Sequence, residues 1–427
     1  MVAQILSKTA PGATTSAPKA ELDVIRDLAH QVAEISARPI QAEREKQWTA
    51  HNDLKPGRPL VLAFPEGAWR EILPESSYFC QHPRLRQLEG DFRRRIYHGE
   101  KLGDENVIEA AVRVPLVMHS TGWGLQAKKS HSTDSLGAHH FEPVLRTNED
   151  LERLTGPSLT IDHEASRRDR EQVAEWLDGI LPVEASCPVP TGCAPMDHYS
   201  QLRGLDRIFT DLVDEPDFVH EAMRRLVDGE ISMRRSLEAQ GALTLNLRSH
   251  YAGSGGNCFT GELPSPSYDG QHVRTRDLWG FAAAQIFSEV STAMHEEFAL
   301  EHERRFLDLF GLNCYACCEP MTRKLEAAMR LVPRLRRVSI SAWADFGKCA
   351  EQLGGRAILS WKPNPAALAG ERFDEAAVAK DLREKLAIAR RHGCVVELIM
   401  KDTHTLRHDP SRLTTWVRLA KEAALEA

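Results

Sequence analysis

Gly311-Leu-Asn-Cys-Tyr-Ala-Cys-Cys-Glu-Pro320 ends a short apolar run with three cysteines and a glutamate, just after a long helical segment. A run that ends in soft ligands and a carboxylate reads as a β-strand opening on the mouth of a barrel. Seven further runs share its character: Pro59–Phe64, Val112–His119, Leu181–Ser186, Leu243–Leu247, Arg337–Ser341, Ala357–Trp361 and Val395–Met400, with Leu309–Asn313 the fifth of eight. Helical patterns lie between them, at Asp169–Asp178, Pro216–Gln240, Asp277–Asp308, Arg323–Leu331, Asp374–His392 and Pro410–Leu425. Apolar strands alternating with amphipathic helices predict a parallel sheet covered by helices, and eight of them predict an α/β fold of the (β/α)8 TIM-barrel type. An open doubly wound sheet is the competing expectation. It would want a glycine-rich phosphate turn after the first strand, where this chain has Phe64-Pro65-Glu66-Gly67, and no G-x-G-x-x-G or P-loop occurs.

The 427 residues divide into an Ala/Ser/Thr/Pro-rich arm over 1–20, a helical extension over 21–58 and a barrel domain over 59–427. The arm has no apolar core segment of the kind a signal peptide or a membrane span requires. A net charge of −7 with dispersed Lys and Arg argues against nucleic acid and against an anionic membrane surface. Nine cysteines without a regular framework predict a reduced, cytoplasmic setting.

Strand ends carry the chemistry of a parallel barrel. Here seven of them end in polar or ionisable groups, which predicts a small-molecule site. Acid–base candidates are His250, His119 and Glu66. Candidates to line the substrate are Trp69, Asn246, Tyr315, Trp343, Lys362 and Asp402. Cys317 and Glu319 are two residues apart, so an extended backbone points both to one side. With His404 past the last strand they could form an open three-ligand zinc site, with Cys314 and Cys318 as substitutes. The competing reading pairs Glu319 with Arg323 and leaves the cysteines as core. Gly253–Asn257 reads as a loop free to close over a ligand.

In order and spacing, several segments resemble the uroporphyrinogen decarboxylase superfamily. They include Leu202-Arg-Gly-Leu-Asp-Arg-Ile208, Leu335-Arg-Arg-Val-Ser-Ile-Ser-Ala-Trp-Ala-Asp345, Ser360-Trp-Lys-Pro-Asn-Pro365 and Lys401-Asp-Thr-His-Thr405. The resemblance runs from about Pro59 to the C-terminus. It implies one of two chemistries: cofactor-free decarboxylation of a porphyrinogen or small acid, or zinc-dependent methyl transfer to cobalamin on a partner corrinoid protein. The decarboxylases' arginine-rich loop after the first strand is Pro65-Glu66-Gly67-Ala68-Trp69-Arg70 here, so a polycarboxylate lacks its cationic partners. The methyltransferases' His-x-Cys is Tyr315-Ala-Cys317, and Asp402 or His404 stands where they carry a further Cys.

The resemblance therefore implies a methyltransferase or demethylase acting on a small methylated substrate, such as a methoxylated arene. Its corrinoid partner is supplied in trans, and a homodimer is expected from the resemblance alone. A non-catalytic small-molecule binding protein is the reading outside enzymes.

Overall fold

A computed structural model describes residues 17–131 and 139–427; most of the expected N-terminal arm lies outside the described residues. Its centre is a parallel sheet. We number the strands β1 (Leu60–Ala63), β2 (Val112–Pro115), β3 (Val183–Ser186), β4 (Gly192–Cys193), β5 (Trp279–Ala282), β6 (Leu312–Tyr315), β7 (Leu335–Ile340), β8 (Ile358–Trp361) and β9 (Val395–Met400). Seven strands form one sheet in the order β1-β9-β8-β7-β6-β5-β4, every neighbour parallel. Strands β2 and β3 pair with each other as a separate parallel ladder. The protein is thus mixed α/β with a parallel core. Among the described residues the ladders do not run continuously round a closed eight-stranded barrel.

Side chains fill both gaps, and this explains why the ladders stop. On the free edge of β1, Glu105 Oε2 accepts from Val61 N at 2.7 Å and Asp104 Oδ2 accepts from Ala63 N at 3.2 Å. On the other side, the expected strand Leu243–Leu247 is irregular backbone. Its side chains do the pairing: Thr244 Oγ1 accepts from Cys187 N, and Asn246 both accepts from Trp279 N and donates to Trp279 O. The true strand there is β5, inside the segment expected to be one long helix. The helix after it starts only at Thr292 and runs to Leu307 with a π turn in its middle.

The remaining helices follow their sequence signals. Asp374 caps Glu375–Arg391 by accepting from Ala377 N, as short polar residues do for orphan amides at a helix start. The expected N-terminal helix is two, Lys19–Ser36 and Pro39–Asn52, divided where Pro39 cannot donate to the preceding turn. The first packs on Pro83–Tyr97 and His163–Leu177. The second buries Trp48, His51 and Asn52. No helix among the described residues is long and apolar enough to cross a membrane.

Candidate functional site

The strand order brings the C-terminal ends of β1, β6 and β9 to one place. Three non-glycine residues there adopt left-handed backbone: Glu66 (φ 46°), Ala316 (φ 69°) and Asp402 (φ 56°). Each such residue costs about 1–3 kcal/mol, and such strain is concentrated at functional sites. The loops after β1 and β9 are stitched together. Ala68 N donates to Thr403 O, and Glu71 accepts from Thr405 Oγ1, Leu406 N and His408 N. Gly67 permits this approach, because a Cβ there would stand 3.1 Å from His404 Nδ1 and 3.2 Å from its Cα.

Cys317 is the centre of the constellation. Lys401 Nζ donates to its sulfur at 3.6 Å, and the Cys318 sulfur is also 3.6 Å away. Cys318 Sγ is 4.0 Å from Asp402 Oδ2, and Lys401 Nζ is 3.5 Å from Asp402 Oδ1. The Cys318 thiol and the charge of Lys401 outweigh desolvation and pull Cys317 down to about 6, while its partner Cys318 is raised. Cys317 is therefore the thiolate of the pair near neutral pH. Ser339 Oγ holds the Cys317 carbonyl at 2.9 Å and lies 3.1 Å from Ser254 Oγ.

Glu66 stands exposed at the rim. Desolvation on its inner side raises its carboxyl, as does the charge of Asp402, against the pull of Lys401 and His404. Glu319 is fully buried, and both its oxygens are used. Oε2 accepts from Cys317 N at 2.9 Å and Oε1 from Ala284 N at 3.2 Å. Burial pushes it up to about 7. Its partners are these backbone amides and not Arg323. His404 is exposed beside Gly67. The expected zinc set of Cys317, Glu319 and His404 thus does not fit a metal. Among the described residues no three His, Cys, Asp or Glu side chains group closely enough to hold one, and the cation beside Cys317 is Lys401.

The other expected residues scatter. Lys362 and Asp402 belong to the constellation. Lys362 is buried beneath it, and its amine donates to Ser360 O at 3.0 Å and Ser360 Oγ at 2.5 Å. Tyr315 is wholly buried and its hydroxyl donates to Glu303 at 2.7 Å, away from any substrate. Asn246 is spent on β5. Trp69 packs edge-on to Tyr97, and Trp343 is 74 % exposed. His119 is exposed in a short antiparallel pair with Leu159–Ile161. His250 bonds Leu247 O, and its charged neighbours are Arg113, Glu109 and Arg248, none of them in the Cys317 constellation.

The glycine loop is not a lid. Cβ atoms at Gly255 and Gly256 would stand 2.2 Å from Arg337 Cδ and 2.3 Å from Trp48, so the glycines let the backbone fill the interior of the sheet. Gly256 N donates to Glu397 Oε1 at 3.0 Å.

Sequence reasoning did not single out Lys401, Ser339 or Ser254. A signal for the first existed: Glu397, Ile399 and Lys401 alternate along β9, and period two puts them on one face.

No family model matches this chain, and no curated protein is similar to it. Among solved structures, a methyltransferase from Methanosarcina mazei is similar with a TM-score of 0.46 and 12% identity, over 90% of this chain and 98% of that one.

Proposed function

We propose that this chain is a methyltransferase whose nucleophile is the Cys317 thiolate. The observation that carries the reading is Lys401 Nζ at 3.6 Å from Cys317 Sγ, among polar groups at converging C-terminal strand ends. An ammonium beside sulfur stabilises the thiolate, the reactive form of cysteine. In the proposed step the thiolate attacks the methyl carbon of a small substrate, and the bond from that carbon to its oxygen or nitrogen breaks. Glu66, with its raised carboxyl at the rim, gives the leaving atom its proton.

The methyl group then leaves Cys317 for an acceptor. From the sequence resemblance, we take this to be the cobalamin of a separate corrinoid protein, which supplies a stronger nucleophile than sulfur. No step is routed through zinc, because among the described residues no three His, Cys, Asp or Glu side chains group closely enough to hold it. The decarboxylase reading expects a cationic mouth. Here Lys401 and Lys362 are matched by Glu66, Asp402 and the Cys317 thiolate, which favours a neutral or weakly charged substrate.

The test supplies isotopically labelled methoxylated arenes and methylated amines without an acceptor, followed by peptide mass analysis. A one-methyl gain on the Cys317 peptide is expected. Wild-type turnover by Cys317→Ala would contradict the reading, and tight binding with neither label nor turnover would favour a binding protein.

A further inference from the structure

The floor beneath Cys317 continues through the sheet to its opposite end. Lys362 Nζ donates to Ser360 Oγ at 2.5 Å, and Ser360 Oγ donates to Glu397 Oε1. Glu397 Oε2 in turn lies 3.3 Å from His51 Nε2. These four residues are 4, 0, 0 and 5 % exposed, so the chain runs through a dry interior. At its far end His51 lines a pocket of about 370 Å³ with Lys46, Pro56, Arg58 and Leu60. Leu60 opens β1, whereas Lys362 follows the end of β8. In a parallel sheet those are opposite ends.

We infer that Lys362, Ser360, Glu397 and His51 form a proton path joining the reactive mouth to the pocket on the opposite end of the sheet. In one passage the Lys362 ammonium releases a proton to Ser360 Oγ, whose own proton passes to Glu397. Glu397 takes it on Oε1, turns its carboxyl about the Cγ–Cδ bond and gives it to His51 Nε2, and the imidazole loses one proton to water in the pocket through its other nitrogen. Lys362 is left as a neutral amine that takes up the next proton from the mouth. A second passage in the same direction needs rotation of the Ser360 hydroxyl and return of His51 to its first tautomer.

The charged groups that face the path are Lys401, Arg337 and Cys317. Burial, with the neighbouring charges of Lys401 and Arg337, lowers Lys362 to about 7, against the pull of Glu397 and Cys317. Arg337 Nε lies 3.0 Å from Glu397 and holds its carboxylate well below the usual range, so a proton stays on it only in passage between Ser360 and His51. The inference goes beyond methyl transfer and does not depend on which reaction occurs in the mouth. Lys362 and His51 here are relay groups that act through their neighbours.

The test needs no turnover. Hydrogen exchange at Lys362 Nζ is measured by NMR of 15N-lysine protein, for wild type, Ser360→Ala, Ser360→Thr and His51→Gln. Removing a positioned proton-transfer group typically costs ~10²–10⁴-fold, so Ser360→Ala and His51→Gln are each expected to slow the exchange by about tenfold or more. Ser360→Thr, which keeps the hydroxyl, is expected to restore it. His51→Gln keeps a donor toward Glu397 but carries no proton, so it separates relay from packing if Ser360→Ala does not fold. Exchange unchanged in His51→Gln, or slowed only by changes in the mouth such as Lys401→Met, would overturn the inference.

Discussion

The two ends of the parallel sheet hold similar ionisable groups and treat them differently. At the floor, Glu397 receives Arg337, Ser360 and Gly256 N, with His51 alongside, and its carboxylate sits well below the usual range. At the mouth, burial raises Glu66 and Glu319, while the Cys318 thiol and Lys401 lower Cys317. A buried charge with every partner in place is held in one protonation state at rest. A group whose surroundings bring it toward neutrality is free to change its protonation state, and that is what acid–base and nucleophilic chemistry require. Left-handed backbone gathers at Glu66, Ala316 and Asp402 on the mouth side, although it also occurs at Leu54 and Arg334 toward the other end.

Substitutions should separate the two ends. The largest effect is expected from Cys317→Ala, which should abolish labelled-methyl uptake while urea unfolding stays within about 1 kcal/mol of wild type, because the side chain is only half-buried. Next, Glu397→Gln should cost about 3–5 kcal/mol in the same unfolding measurement, since it leaves Arg337 buried without its counter-charge. Gly255→Ala should cost about 1–3 kcal/mol by overpacking against Arg337. A loop that moved freely as a lid would tolerate that methyl group. Trp343→Ala should change stability by less than about 0.5 kcal/mol, because the ring is 74 % exposed. A loss of substrate affinity there would return Trp343 to the site.

Much of this architecture was legible in the sequence. Val395–Met400 forms the strand its apolar run announces, and the Cys-Cys-Glu-Pro end of β6 does mark the mouth. Trp279–Ala282 was not legible, because Asp277-Leu-Trp-Gly-Phe-Ala-Ala-Ala284 is alanine-rich and leads into a helix, and only pairing with β6 and β4 makes it a strand. Tyr315 looked like a substrate contact from its place at a strand end. Its hydroxyl instead satisfies a buried glutamate twelve residues earlier, a partnership that spacing does not reveal. The glycines of Gly253–Asn257 suggested motion, whereas their cause is the bulk of Trp48 and Arg337, both remote in sequence. The zinc expectation at Glu319 rested on spacing, which does not reveal that its carboxylate accepts from two backbone amides that only the fold brings within reach.

The central claim is that Lys401 and Cys318 hold Cys317 as a thiolate. The most direct measurement is the rate of Cys317 alkylation by iodoacetamide against pH, in wild type and in Lys401→Met. The folded value, about 6, lies below the ordinary 9.0 of a thiol. The stability gained from this shift is therefore complete above about 9 and lost as pH falls through about 6. Alkylation should rise with pH, pass half-maximum near 6 and be flat by 8. Removing the ammonium in Lys401→Met should move the midpoint upward. A wild-type midpoint near 9, unmoved in Lys401→Met, would mean that Cys317 is an ordinary thiol and would contradict the account.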